Sequence, residues 1–311
     1  MTIRHIPVLL DKVVEFLRCK EGGIYVDCTI GGGGHAEAVL KIISPDGILI
    51  GIDRDREALE RAAFRLRKYK KRVILRHGNF FEMQRILGEE GIYRVDGILI
   101  DLGMSSFQID ESERGFSFQR DGPLDMRMDR DSDERASDIV NKESEERLAI
   151  IIKEYGEERW AKRIARKIII ERAVKPIETT LRLADIVTYS IPGSYRYRRI
   201  HPATRTFQAL RIAVNRELEF LGGAVKMAST LLNISGRISI LSYHSLEDRC
   251  VKETFRRLAK GCICPPELYQ CVCNGKATLS IVTKRPVVPD MEEITCNQRA
   301  RSAKLRVAER I

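Results

Sequence analysis

No apolar run in this 311-residue chain approaches the roughly 20 residues needed to cross a bilayer, which argues against a membrane-spanning protein. The opening Met1-Thr2-Ile3-Arg4-His5-Ile6-Pro7 lacks the apolar stretch of a signal peptide. Eight cysteines in a chain of this size do not make a secreted disulfide scaffold, so mostly reduced thiols in the cytoplasm are expected. No internal repeat or low-complexity tract is present. No Gly-x-Ser-x-Gly elbow surrounds Tyr243-His244-Ser245, which discounts a serine hydrolase.

What is present is a soluble, globular composition: 43% hydrophobic and 32% charged residues, with length enough for one large or two ordinary domains. The net charge of +10 suggests a polyanionic partner, although solvated lysines alone produce such an excess in many proteins.

The most informative stretch is Val26-Asp27-Cys28-Thr29-Ile30-Gly31-Gly32-Gly33-Gly34-His35-Ala36. A short apolar run enters a four-glycine turn, and Ala36, Val39, Leu40 and Ile43 leave it at helical spacing. Asp53 follows nineteen residues beyond Gly34, closing the run Gly47-Ile48-Leu49-Ile50-Gly51-Ile52-Asp53. A doubly wound fold places there the carboxylate that holds ribose hydroxyls. Further strand patterns end near Arg76 and at Asp101, so Asp27, Asp53, Asn79 and Asp101 share the carboxyl rim of a parallel sheet.

After about residue 105 the rhythm breaks. A charged loop, Asp110 to Asp138, precedes helical patterns over Glu145 to Tyr155, Glu157 to Val174 and Thr180 to Ser190. The βα rhythm resumes with one helix expected over Ala203 to Leu232 and a strand over Arg237 to Ser242. The pattern predicts an α/β protein: a discontinuous Rossmann-like domain, residues 1–105 and 203–311, carrying an inserted helical domain, 106–202.

Gly31-x-Gly33-x-x-Ala36 formally fits a dinucleotide fingerprint, which keeps NAD as a rival. The same loop can hold the amino-acid end of S-adenosylmethionine. Two acidic strand ends, Asp53 for ribose and Asp101 near the cationic end, suit a ligand bearing a sulfonium and an ammonium. Phe80 is either an adenine platform or core.

Longer motifs discriminate further. They run from His5-Ile6-Pro7-Val8-Leu9-Leu10 through Asp101-Leu102-Gly103-Met104-Ser105-Ser106, Glu113-Arg114-Gly115-Phe116-Ser117-Phe118 and Asp121-Gly122-Pro123-Leu124-Asp125-Met126-Arg127-Met128. Tyr155-Gly156-Glu157-Glu158-Arg159, His201-Pro202-Ala203-Thr204-Arg205-Thr206-Phe207-Gln208, Ser242-Tyr243-His244-Ser245-Leu246-Glu247-Asp248-Arg249 and Arg299-Ala300-Arg301-Ser302 complete the set. In content and order they resemble the ribosomal small subunit methyltransferase H family, which methylates N4 of a cytidine in 16S ribosomal RNA. The resemblance covers almost the whole chain. It implies a class I S-adenosylmethionine-dependent methyltransferase, with 16S ribosomal RNA or the small ribosomal subunit as substrate. Gly33, Gly34 and His35 would then contact the cofactor, Asp53 its ribose and Phe80 its adenosine region, while Asp101 and Gln108 would close the site. Residue type alone reads Gln108, in a polar loop, as solvated surface.

A cytosine N4 amine is a weak nucleophile because its lone pair is conjugated with the ring. In-line placement and hydrogen-bond acceptors are what catalysis requires, and no metal is needed. Asp101 is the expected catalytic acceptor, with carbonyls of the turn at Leu102 to Ser106 beside it. For RNA, Arg159, Lys162, Arg163, Arg166 and Lys167 share one helical face, and Ser194 to His201 interleaves aromatics with arginines. Phe116, Phe118 and Tyr243 are either base wedges or core. Residues 110–147, with thirteen acidic and seven basic side chains, limit RNA to selected faces. Cys262-x-Cys264 and Cys271-x-Cys273 leave structural zinc and reduced or redox-linked thiols open. Monomer and homodimer also both stay open.

Overall fold

A computed structural model describes residues 7–196, 200–262, 264, 272–273 and 275–311. Pro7 is thus the first described residue of the N-terminal motif, and Tyr197 to Arg199 and Cys271 lie outside the described residues. No described helix is long and apolar enough to cross a membrane.

Seven strands, β1 (Ile24–Asp27), β2 (Ile48–Asp53), β3 (Val73–His77), β4 (Val95–Asp101), β5 (Leu232–Ser242), β6 (Leu279–Ile281) and β7 (Lys304–Arg310), form one sheet in the order β3-β2-β1-β4-β5-β7-β6. The first five are parallel, and β7 runs antiparallel between β5 and β6. This is the class I methyltransferase arrangement of a Rossmann-like sheet. The strand order reverses at β1 and β4, whose carboxyl ends therefore open the crevice where such sheets take ligands.

Each central strand is apolar on both faces because helices cover both. Leu49 and Leu99 enter a core with Tyr25, Val39, Leu40 and Val307, whereas Ile50, Ile98 and Ile100 enter the opposite core with Phe80, Met83, Val225 and Phe255. Alternation along the strand thus sends neighbours to opposite sides. Asp55 caps the helix Arg56–Leu66 by accepting from the Glu57 amide, which fixes the chain where β2 ends.

The chain divides into two compact units, Met1–Gly103 with Leu218–Ile311, and Met104–Glu217. The first holds the sheet. The second packs the helices Ala136–Lys142, Glu145–Gly156, Ala161–Val174, Thr180–Ser190 and Thr204–Asn215 around Leu148, Ile152, Ile164, Ile168, Leu183, Val187, Phe207 and Leu210. Its charged loop is pinned from within. Buried Arg114 donates to the Arg127 and Met128 carbonyls, and Asn215 bridges the Met126 carbonyl and the Met128 amide.

Two expectations are corrected here. The chain returns to the sheet unit at Leu218, not at 203, because Thr204–Asn215 packs against Glu145–Gly156. The single helix over 203–232 is two helices, Thr204–Asn215 and Leu221–Leu231. They are broken where Arg216 turns left-handed at φ 50° and Glu217 folds back onto Arg211 with two 2.9 Å bonds.

Candidate functional site

The crevice is built from strand ends. Past Asp27, the Cys28 amide bonds to the Leu99 carbonyl and the Ile30 amide to the Ile52 carbonyl, so β4 and β2 together hold the start of the glycine turn. Gly31 (φ 50°) and Gly33 (φ 75°) adopt the left-handed backbone that a side chain resists. Gly33 caps the helix Gly34–Ile42 without any side-chain cap, leaving the first helix amides to a ligand or solvent. Gly34 is glycine for a different reason: a Cβ there would stand 2.3 Å from the Pro7 ring.

Asp53 accepts from the Gly31 amide at 2.8 Å and from the Asp55 amide at 2.9 Å, tying the turn to β2. Burial pushes its carboxyl upward, against those two amides. Asp101 donates its amide to Thr29 Oγ1 at 2.6 Å and accepts from the Gly103 amide at 3.2 Å. Its other oxygen lies 3.9 Å from His35 Nδ1. His35 Nε2 is 3.0 Å from the Val8 carbonyl, which only accepts, so Nε2 carries the proton and Nδ1 presents a lone pair. Burial lowers the His35 pKa despite Asp101, so the ring stays neutral.

Two further groups complete the rim. Tyr243, just beyond β5, is half-buried next to Asp101, and burial together with the Asp101 charge pushes its pKa well up. Its ring closes over Gly103, where a Cβ would meet it at 2.6 Å. Asp27 is 3% exposed and pushed up to about 8 by burial, with Asp101 and Asp53 adding repulsion against the Thr29 amide that donates to it. Three aspartates thus end adjacent strands, an arrangement that a cationic ligand would relieve.

The structure brings Gly33, Gly34, His35, Asp53 and Asp101 to one rim. Phe80, 8% exposed, belongs to the core beneath β3, edge-on to Phe81. Beside it, Asn79 caps the turn at Phe80–Glu82 with its side chain, and its Oδ1 is buried. Gln108 belongs to the helical unit and is buried, not solvated. It completes a capping box in which its Oε1 accepts from the Ser105 amide at 3.1 Å and its own amide donates to Ser105 Oγ. Residue pattern undervalued Tyr243 as a partner of Asp101. The adjacency of β4 and β5 ends is the signal that points to it.

Among the RNA candidates, Ala161, Ile164, Ala165 and Ile168 are buried while Lys162, Arg163 and Arg166 are exposed. Arg159 lies 4.0 Å over the Tyr195 ring, and Lys167 pairs with Glu171. Phe116 is core, and Phe118 packs on His201 and Phe207.

The model of the MraW methylase family matches residues 2–311. Proteins named ribosomal RNA small subunit methyltransferase H are similar along their whole length. The one from Trichlorobacter lovleyi is 53% identical over 99% of this chain and 98% of its own, and that from Halothermothrix orenii 53% identical over 99% of each. The Clostridioides difficile protein is 49% identical over the full length of both. With the sheet order, the glycine turn and the acidic rim, these matches establish that the chain belongs to the MraW methylase family and is an S-adenosylmethionine-dependent methyltransferase.

Proposed function

We propose that this chain methylates N4 of a cytidine in 16S ribosomal RNA, acting in the cytoplasm on the RNA or the small subunit that contains it. The observation that supports this reading is the acidic rim, in which Asp101 lies 3.9 Å from His35 Nδ1 and Asp27 and Asp53 close the neighbouring strands.

The residues fit S-adenosylmethionine. Gly33, Gly34 and His35 would hold its methionine end and Asp53 its ribose hydroxyls. Phe80 and Asn79, whose side chain caps the turn at Phe80–Glu82, would serve the adenosine region. Gln108, buried in the helical unit, joins this set on the family resemblance alone. When bound, the cofactor supplies an electrophilic methyl on a sulfonium.

Asp101 is the group placed to act on the nucleophile. Its carboxylate, held by the Gly103 amide, would accept a hydrogen bond from the cytosine amine as positive charge develops on nitrogen. No side chain of the rim needs to form a covalent bond. The His35 lone pair keeps a second acceptor beside that carboxylate without adding a competing charge. The unit Met104–Glu217, with the exposed Lys162, Arg163 and Arg166, is assigned to RNA.

The test is to incubate small subunits from a strain deleted for this gene with the purified protein and labelled S-adenosylmethionine, then map modified nucleosides by mass spectrometry. Label on N4 of one 16S cytidine is the expected result. Label elsewhere, or none, refutes it.

A further inference from the structure

We propose that Cys262, Cys264 and Cys273 bind a structural zinc ion as thiolates, clipping the end of the helix Ser245–Lys260 to the chain that leads into β6. The three Sγ atoms lie within 4.8 Å of one another. Cys262 Sγ and Cys273 Sγ are 3.7 Å apart, far beyond a disulfide bond. That separation matches the edge of a tetrahedron with zinc–sulfur bonds of about 2.3 Å, which is about 3.8 Å.

The backbone is shaped to make this meeting. The Gly261 amide closes the helix onto the Arg257 carbonyl, and Gly261 then turns at φ 70°. Two glycines let the outgoing and returning strands touch: a Cβ on Gly261 would stand 2.3 Å from the Ala277 nitrogen, and one on Gly275 2.3 Å from the Gly261 oxygen. Thr278 then bonds back to the Leu258 carbonyl at 2.9 Å. The Gly275 amide points at Cys273 Sγ at 3.4 Å, an outer-shell contact suited to a thiolate. The electronegative carbonyl end of a helix opposes a cluster of anionic sulfurs, and a bound cation removes that conflict.

The clip is remote from methyl transfer. The helix is 16 residues, roughly 24 Å long. Its other end carries Glu247, which accepts from the Tyr243 amide at 2.8 Å. The ion therefore braces the sheet unit and takes no part in the reaction.

The experiment uses full-length protein from zinc-supplemented cells, purified without chelator or metal-affinity resin. Elemental analysis is expected to give about one zinc per chain, and X-ray absorption three or four sulfur neighbours at about 2.3 Å. The double variant Cys262→Ser, Cys273→Ser is expected to lose the metal and several degrees of thermal stability while keeping its turnover below the melting range. If that variant does not fold, cobalt(II) exchange into the natural protein decides, through thiolate charge-transfer and tetrahedral d–d bands. Reduced natural protein that takes up neither zinc nor cobalt overturns the proposal. So does a double variant that retains full metal, or a Cys262–Cys273 disulfide recovered after thiol blocking in cells.

Discussion

Strand β4 carries one aspartate, Asp96, near its start and another, Asp101, at its end, and the two ends of the sheet treat them oppositely. At the amino end, burial works against ionisation of Asp96, but Lys20 at 2.8 Å, the Ile24 amide at 2.9 Å and Asn233 at 3.1 Å outweigh it and hold its carboxyl below the usual range. Nearby, Arg237 is satisfied by Glu309 and the Phe16 carbonyl. At the carboxyl end, Asp27, Asp53 and Asp101 rest on backbone amides, and for Asp27 and Asp53 burial wins. One end is electrostatically finished, whereas the other is left short of positive charge. Such a deficit is the mark of a site that expects its missing charge from a ligand.

The largest effect is expected at the unfinished end. Asp101→Ala lowers turnover by about 10²–10³-fold, the scale of one lost transition-state acceptor, while weakening cofactor affinity less than tenfold. Rapid-quench turnover with radiolabelled cofactor, set against calorimetric affinity, checks this. Equal losses in both would reduce Asp101 to a binding group.

A smaller effect concerns Asp27, raised from 3.8 to about 8. Its ionised form is disfavoured in the folded protein, so the unliganded protein loses stability as pH rises across that interval and levels off above it. A sulfonium favours the ionised form. The preference for S-adenosylmethionine over the uncharged S-adenosylhomocysteine therefore grows with pH up to about 8, by roughly threefold to tenfold for a charge interaction near 1 kcal/mol. Asp27→Asn flattens both trends, and a pH-independent preference in the natural protein would break the contrast between the two ends.

The smallest effect is at the finished end. Asp96→Asn costs about 1 kcal/mol of stability and leaves turnover unchanged. Because the folded-state pKa of Asp96 is depressed, its contribution is present above the ordinary carboxylate range and is lost as pH falls through the depressed value. Denaturant melts at neutral and acid pH read this directly.

The sheet and its rim were legible because strand-end position depends only on local pattern: an apolar run, then Asp53 or Asp101. The boundary at Leu218 was not. The helix Thr204–Asn215 reads like any helix before a strand, and its partner in Glu145–Gly156 is fixed by packing across a long separation. The break at Arg216 was hidden too, since a left-handed arginine carries no glycine signal. Burial of Gln108 was partly visible: Ser105-Ser106-Phe107-Gln108 is a capping-box spacing, although composition pointed to solvent. The neutrality of His35 depends on burial and its tautomer on the Val8 carbonyl, neither of which a sequence displays.

The pairing of β4 with β5 has a consequence for synthesis. These strands are neighbours, yet the residues between them make a separate compact unit. During translation the strand Val95-Asp96-Gly97-Ile98-Leu99-Ile100-Asp101 emerges long before Leu232–Ser242 exists to cover it. The half-made sheet thus shows an apolar, open edge, the kind of surface that recruits other chains. That edge stays open until the whole insertion has been made.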